Sequence, residues 1–320
     1  MEEGMMVLFQ LGTFPVTAYA LALVAALAAG MMVLFWNCKR KGLKENTAFV
    51  MGVLSLPLGL LCARVFYVLC RISLYGEMGF AEAVKMWHGG YALWGAVLGV
   101  FLALVLCSKI TAQSLVKLAD AAVLPGALVI GLCRLAEGLN GEGIGMLVEN
   151  EALQFFPLAV MNEWEEWYWA IFMAEAVAAF VIFLVLVRKR RQDGEDTKVF
   201  VWLFCTCSLL LESLRRDQFL RWLFVRVNQL TAVLVLTGFM VYALVKWLRN
   251  KENYRLKTGT VVLCWVVYAA LAGACIALEF AVDKSAALPV WACYSLMAVC
   301  VACMGLCSYT VMFPKEMVKE

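Results

Sequence analysis

Nine apolar blocks, each close to the thickness of a membrane in helical length, constrain this chain more than any other feature. They fall at residues 14–36, 48–69, 90–108, 115–135, 167–187, 199–214, 229–246, 259–279 and 287–312. A helix needs about 20 apolar residues to cross roughly 30 Å of hydrocarbon. Inside that hydrocarbon only helices satisfy their own backbone polar groups locally. The blocks explain why 64% of the residues are hydrophobic and 16% charged, with a mean hydropathy of +0.84, where soluble domains carry about 45–50% apolar residues. A water-soluble fold is excluded, and the expected class is an all-α polytopic membrane protein. The first block is too long for a signal peptide and lacks a basic leader and a small-residue cleavage site, so it reads as a membrane helix of the mature chain.

Basic residues gather on alternate loops: Lys39, Arg40, Lys41 and Lys44; Lys109 and Lys117; Arg188 to Arg191 and Lys198; Lys246, Arg249, Lys251, Arg255 and Lys257; Lys315 and Lys319. They outnumber those on the other side, which are Arg71, Lys85, Arg215, Arg216, Arg221, Arg226 and Lys284. The positive-inside rule then predicts an outside N-terminus and a cytoplasmic C-terminus. The net charge of +3 says little once it is resolved this way, and no nucleic-acid partner is expected. The thirteen cysteines sit almost entirely inside the blocks, which argues against a disulfide framework. Cys300, Cys303 and Cys307 have helical spacing but no nearby His or carboxylate to complete a metal site. No metal and no cofactor are expected.

The two long connections, Arg71 to Gly89 and Ala136 to Glu166, lie on the predicted outer side. The second carries the acidic and aromatic run from Met161 to Trp169, readable as an interfacial aromatic belt or as a dock for a cationic peptide. Ionisable groups inside a span are expensive and mark function by default. Those groups are Arg64, Arg134 with Glu137, Glu175, and Glu212 with Arg215 and Arg216. They cluster at helix ends rather than at the midplane, which argues against a transporter or channel.

Arg134 opens the stretch Arg134-Leu135-Ala136-Glu137-Gly138-Leu139-Asn140-Gly141-Glu142-Gly143-Ile144-Gly145, where one cation meets several glycines and hydrogen-bonding side chains. Glycines let a backbone approach a ligand closely, and a guanidinium grips phosphate through paired hydrogen bonds. The same stretch also reads as a snorkelling arginine followed by a loop. A second glycine-rich element, Trp87-His88-Gly89-Gly90, contains the only histidine. Its imidazole is able to act as a base near neutral pH.

Together these elements resemble the prolipoprotein diacylglyceryl transferases over residues 8 to 247. The match runs through Gly12-Thr13 with Tyr19-Ala20, Cys62-Ala63-Arg64 with Tyr67-Val68, and Trp87-His88-Gly89-Gly90. It continues with Cys133-Arg134 to Asn140-Gly141-Glu142 and Gly145, Glu175, Glu212 with Arg215, and Asn228-Gln229-Leu230. The family's later histidine falls on Trp94, the first Asn of its signature on Glu137, and an Arg of its sixth helix on Ser208.

The resemblance implies a seven-helix transferase-like core at 1–247 followed by a pair of extra C-terminal helices at 248–320. It implies transfer of diacylglyceryl from phosphatidylglycerol to the lipobox cysteine of a prolipoprotein, at a site facing the outer leaflet of the bacterial cytoplasmic (inner) membrane. It implies catalytic roles for Arg134, Asn140 and Glu142, with His88 or Glu137 supplying the base that Trp94 cannot. Substrate contacts are expected at Tyr19, Arg64, Gly89, Gly90, Gly145 and Arg215. The alternative is a degenerate relative that keeps the lipid site as an accessory membrane protein.

Overall fold

The structure, a computed structural model, describes residues 7–11, 14–86, 89–189, 191–216, 220–222, 225–254, 256–284 and 289–314. Among these, nine helices are long and apolar enough to cross a membrane: α1 Ala18–Arg40, α2 Thr47–Cys70, α5 Leu93–Thr111, α6 Leu115–Leu139, α7 Ile171–Arg188, α8 Glu195–Leu214, α9 Val227–Arg249, α10 Thr258–Lys284 and α11 Val290–Met312. The chain is a polytopic α-helical membrane protein. Its helices are apolar on their outward faces as well as inside, with Val24, Met32, Phe49, Phe101 and Val177 all exposed, as lipid rather than water demands.

The remaining elements cap the helices. Strands β1 (Val7–Leu11) and β2 (Phe14–Thr17) form an antiparallel hairpin ahead of α1. Short helices α3 (Ile72–Met78) and α4 (Phe80–Val84) occupy the connection between α2 and α5. Strands β3 (Ile144–Leu147), β4 (Ala159–Met161) and β5 (Trp167–Ala170) make a sheet in the order β3-β5-β4 between α6 and α7. The two-residue strands β6 (Arg221–Trp222) and β7 (Val225–Arg226) precede α9.

Most boundaries move by a few residues from those expected, and four of the shifts bear on the site or its neighbours. The first span begins at 18 rather than 14 because residues 14–17 pair with β1, and Thr17 caps the helix by accepting the Ala20 amide at 3.1 Å. The fourth runs on to Leu139 rather than 135, which places Glu137 on helix. The fifth starts at Ile171 rather than 167, because Trp167, Tyr168 and Trp169 are a central strand rather than the mouth of a helix. The sixth starts at Glu195, not 199.

The chain divides into two compact units, residues 1–197 with 216–230 and residues 198–215 with 231–320. In the first, helices approach until their backbones nearly touch, the close packing that small residues permit in lipid. A Cβ on Gly99 of α5 would lie 2.2 Å from the Leu58 carbonyl oxygen of α2, and one on Gly95 would lie 2.6 Å from that of Cys62. On α1, a Cβ on Gly30 would lie 2.3 Å from a Val129 methyl of α6, and on α6 one on Gly131 would lie 2.8 Å from the Phe180 ring of α7. In the second unit, α10 packs along α11, and Trp202 donates its indole N–H to the Gly305 carbonyl at 2.9 Å.

At the start of α6, Asp120 is 1% exposed. It accepts hydrogen bonds from the Gly194 amide at 2.7 Å, the Thr197 amide at 2.9 Å and the Thr197 hydroxyl at 2.6 Å. Lys41, at the end of α1, bridges it to Asp196 with contacts of 3.5 and 2.6 Å, and Arg191 reaches Asp196 at 3.0 Å. Two acids and two bases thus close a buried network beneath the basic loops.

Candidate functional site

The other end of α6 carries the site. Arg134 and Glu137 stand three residues apart, which puts both on one helix face. Nη1 of Arg134 donates to both carboxylate oxygens of Glu137, at 2.6 and 2.8 Å. Nε of the same guanidinium lies 3.3 Å from an oxygen of Glu175 on α7. The three side chains are 13%, 18% and 8% exposed respectively. From α1, the Tyr19 hydroxyl lies within electrostatic reach of Arg134, Glu137 and Glu142. Close packing of α1, α6 and α7 therefore gathers one cation, three carboxylates and a phenol.

The loop that follows is shaped by backbone. Asn140 caps α6, and its amide and that of Glu142 both donate to the Glu137 carbonyl at 3.0 Å. Gly141 follows the cap with φ +69°, the left-handed conformation with which helices commonly end and which glycine adopts without a Cβ clash. Gly143 has φ +74°, and a Cβ there would lie 2.7 Å from that of Phe172. Its carbonyl accepts the Phe172 amide at 2.8 Å, one of the four donors that the start of α7 leaves without a helical partner. The side chain of Asn140 donates to the exposed Glu142 carboxylate at 2.8 Å, and Gly145 is buried on β3. Arg134, Glu137, Asn140, Glu142 and Tyr19 are thus brought to one place.

Arg64, Gly89 and Gly90 form a different group. Arg64 is 4% exposed. Its guanidinium donates to the carbonyls of Ala83 at 3.1 Å, Gly90 at 3.2 Å, Glu82 at 3.0 Å, Lys85 at 3.1 Å and also Gly89, and it lies over the Tyr75 ring. The cation thus ties Glu82, Ala83 and Lys85 to Gly89 and Gly90. Beside it, Trp94 is buried and donates to the Asn228 carbonyl at 3.2 Å. Trp87 and His88 lie outside the described residues. Arg215 belongs to the second unit, buried at the end of α8, and Ser208 is half-buried on the same helix.

The aromatic run becomes the β4–β5 hairpin. Asn162 accepts the amides of Trp164 and Glu166 at 2.9 Å each, and Trp164 stands 82% exposed. Tyr168 donates its hydroxyl to Glu166 at 2.8 Å, and that carboxylate pushes the phenol above its ordinary range. Asp120 is not among the expected ionisable groups, and its signal in the sequence is that of a single acid inside an apolar span.

Residues 6–245 match the family model described as prolipoprotein diacylglyceryl transferase. Curated relatives named phosphatidylglycerol–prolipoprotein diacylglyceryl transferase include one from Listeria innocua serovar 6a, 26% identical over 75% of this chain and 90% of its own. Another, from Clostridioides difficile strain 630, is 24% identical over 77% and 97%. A third, from a bovine strain of Staphylococcus aureus, is 27% identical over 81% and 94%.

Proposed function

The chain belongs to the prolipoprotein diacylglyceryl transferase family, and on that premise we propose that it moves a diacylglyceryl group from a glycerophospholipid to the lipobox cysteine of a prolipoprotein. Phosphatidylglycerol is the donor in the names of its relatives. The observation that carries this reading is the Arg134 cluster, a guanidinium at the end of a membrane helix among hydrogen-bonding side chains. Its site faces the outer leaflet of the bacterial cytoplasmic membrane, consistent with the basic loops at the far end of α6.

In the reaction, the cysteine sulfur bonds to the terminal glyceryl carbon as the bond from that carbon to the phosphate oxygen breaks. With phosphatidylglycerol as donor, glycerol phosphate departs. Arg134 holds the phosphate and stabilises the charge that builds on it, an effect strengthened where water is sparse. A thiol of ordinary pKa, about 8.5, is mostly protonated at neutral pH, so the attack needs a base. In place of His88, which lies outside the described residues, or Glu137, which Arg134 engages, Glu142, the exposed carboxylate of the cluster held by Asn140, takes that proton. Tyr19 borders the same place. Arg64 acts by positioning Gly89 and Gly90.

Purified protein with phosphatidylglycerol and a lipobox peptide is expected to yield peptide heavier by one diacylglyceryl group. Arg134→Ala is expected to lower the rate by about 10²–10³, the range for loss of one preorganised donor. Absence of product beside an active control enzyme would favour the second reading, a lipid-holding accessory protein. That reading is supported by the engagement of Arg134 with Glu137 and Glu175.

A further inference from the structure

We propose that the β1–β2 hairpin is a membrane-contact element, seated in the boundary between headgroups and acyl chains at the N-terminal end of α1, with the lipids of that leaflet as its partner. Three consecutive apolar residues of β1, Val7, Leu8 and Phe9, are 48%, 47% and 51% exposed. The fold therefore leaves each of them largely uncovered. A strand with one face in water sets its apolar residues on the covered side and its polar ones outward; here the exposed run is apolar until Gln10. A two-stranded hairpin is marginal in water on its own, and among the described residues no third strand joins this one. An apolar medium outside the chain has to receive these side chains.

Charge and continuity identify that medium as lipid. Residues 4–38 contain no Asp, Glu, Lys or Arg, so the hairpin and α1 form one uncharged stretch, and exposed apolar residues continue from β1 to Leu21 and Val24 on the helix. The 23 residues of α1 rise about 35 Å, against roughly 30 Å of hydrocarbon. The helix thus crosses the hydrocarbon by itself, and the hairpin falls at its rim. Two opposed requirements set the depth. Apolar side chains gain by leaving water, whereas the N–H and C=O groups along the outer edges of the two strands are not tolerated in hydrocarbon. Only the interface satisfies both. Because Thr17 ends β2 and caps α1, the hairpin ties the bilayer surface to the helical turn that carries Tyr19.

The test places photoreactive benzoylphenylalanine at position 9 of the full chain in nanodiscs of phosphatidylglycerol and phosphatidylcholine. After irradiation, mass spectrometry reads what has been joined to residues 7–17. Lipid adduct is expected at Phe9, several-fold above the yield from the same probe at Glu151, an exposed acid in the β3–β4 connection. A second probe at Leu8 keeps the test decisive if replacement of Phe9 prevents assembly. Joining to another segment of the chain or to a second copy, or no adduct at either position in a folded protein, would overturn the proposal. An equal yield at Glu151 would do so as well. A transfer assay separates this result from the function: lipid adduct on an inactive protein sustains the seating of the hairpin and removes only the transferase reading, and transfer without adduct does the reverse.

Discussion

Near the start of α6, Asp120 is 1% exposed and receives three hydrogen bonds besides Lys41. Fourteen residues along the same helix, about 21 Å at the α-helical rise, Arg134 and its two carboxylates are 8–18% exposed. Both ends hold ion pairs at a membrane-helix terminus. In the first network, two acids face two bases, and backbone amides and a hydroxyl take up the oxygens of Asp120. In the second, two acids share one guanidinium beside a glycine-shaped loop. The difference shows how burial separates a lock from a site. An acid that is enclosed and held by backbone amides ties helices together; one that keeps more exposure, as Glu137 does, stays within reach of a ligand.

The comparison breaks first at Asp120. Asp120→Ala leaves the Gly194 and Thr197 donors without their acceptor and Lys41 with Asp196 alone, and losing one partner of a buried ion network costs about 3–5 kcal/mol. Thermal unfolding in detergent is expected to show a large drop in midpoint, whereas a near-native midpoint would show that the network is no lock. Next comes Arg134→Ala, which sets Glu137 against Glu175. It is expected to abolish measurable lipid retention while lowering the unfolding midpoint less than Asp120→Ala does, because Glu137 keeps more exposure than Asp120. An equal drop at both ends would erase the distinction drawn here.

Gly143→Ala comes third, at about 1–3 kcal/mol for a strained left-handed conformation with its new Cβ against Phe172. Its effect is expected on transfer more than on the unfolding midpoint, since it displaces the loop that carries Glu142. The smallest effect belongs to the pair of half-buried Tyr168 and exposed Glu166, outside the spans. The Tyr168 hydroxyl donates to Glu166, and the phenolate would face that charge. Glu166→Gln is therefore expected to lower the titration of Tyr168 toward the ordinary phenol range, read as the tyrosinate absorbance against pH. No shift would mean that the pair does not persist in solution.

Much of the architecture was legible in the chain. Hydropathy is a local property, and all nine spans appear as helices within a few residues of their expected places. At the starts of the first and fifth spans, strands were responsible for the shift. The pairing of Phe14–Thr17 with Val7–Leu11, and of Trp167–Ala170 with both β3 and β4, depends on partners that an apolar run does not reveal. Within the candidate site, the stretch from Arg134 to Gly145 was legible because a cation and several glycines interrupt an apolar pattern. Arg64 was visible as a buried charge, but not its bonds to five backbone carbonyls between Glu82 and Gly90.

The chain alone therefore specified a bundle of membrane helices and the place along α6 where a cation and glycines concentrate the chemistry. Only the tertiary structure decided that Glu175 comes from α7 to share that guanidinium, and that Lys41 and Thr197 close on Asp120 from distant parts of the chain. The reason is physical: a span needs only its own residues to satisfy its backbone and its lipid contacts, whereas an ion pair between helices exists only where small residues such as Gly30 and Gly131 bring those helices close enough for the charges to meet.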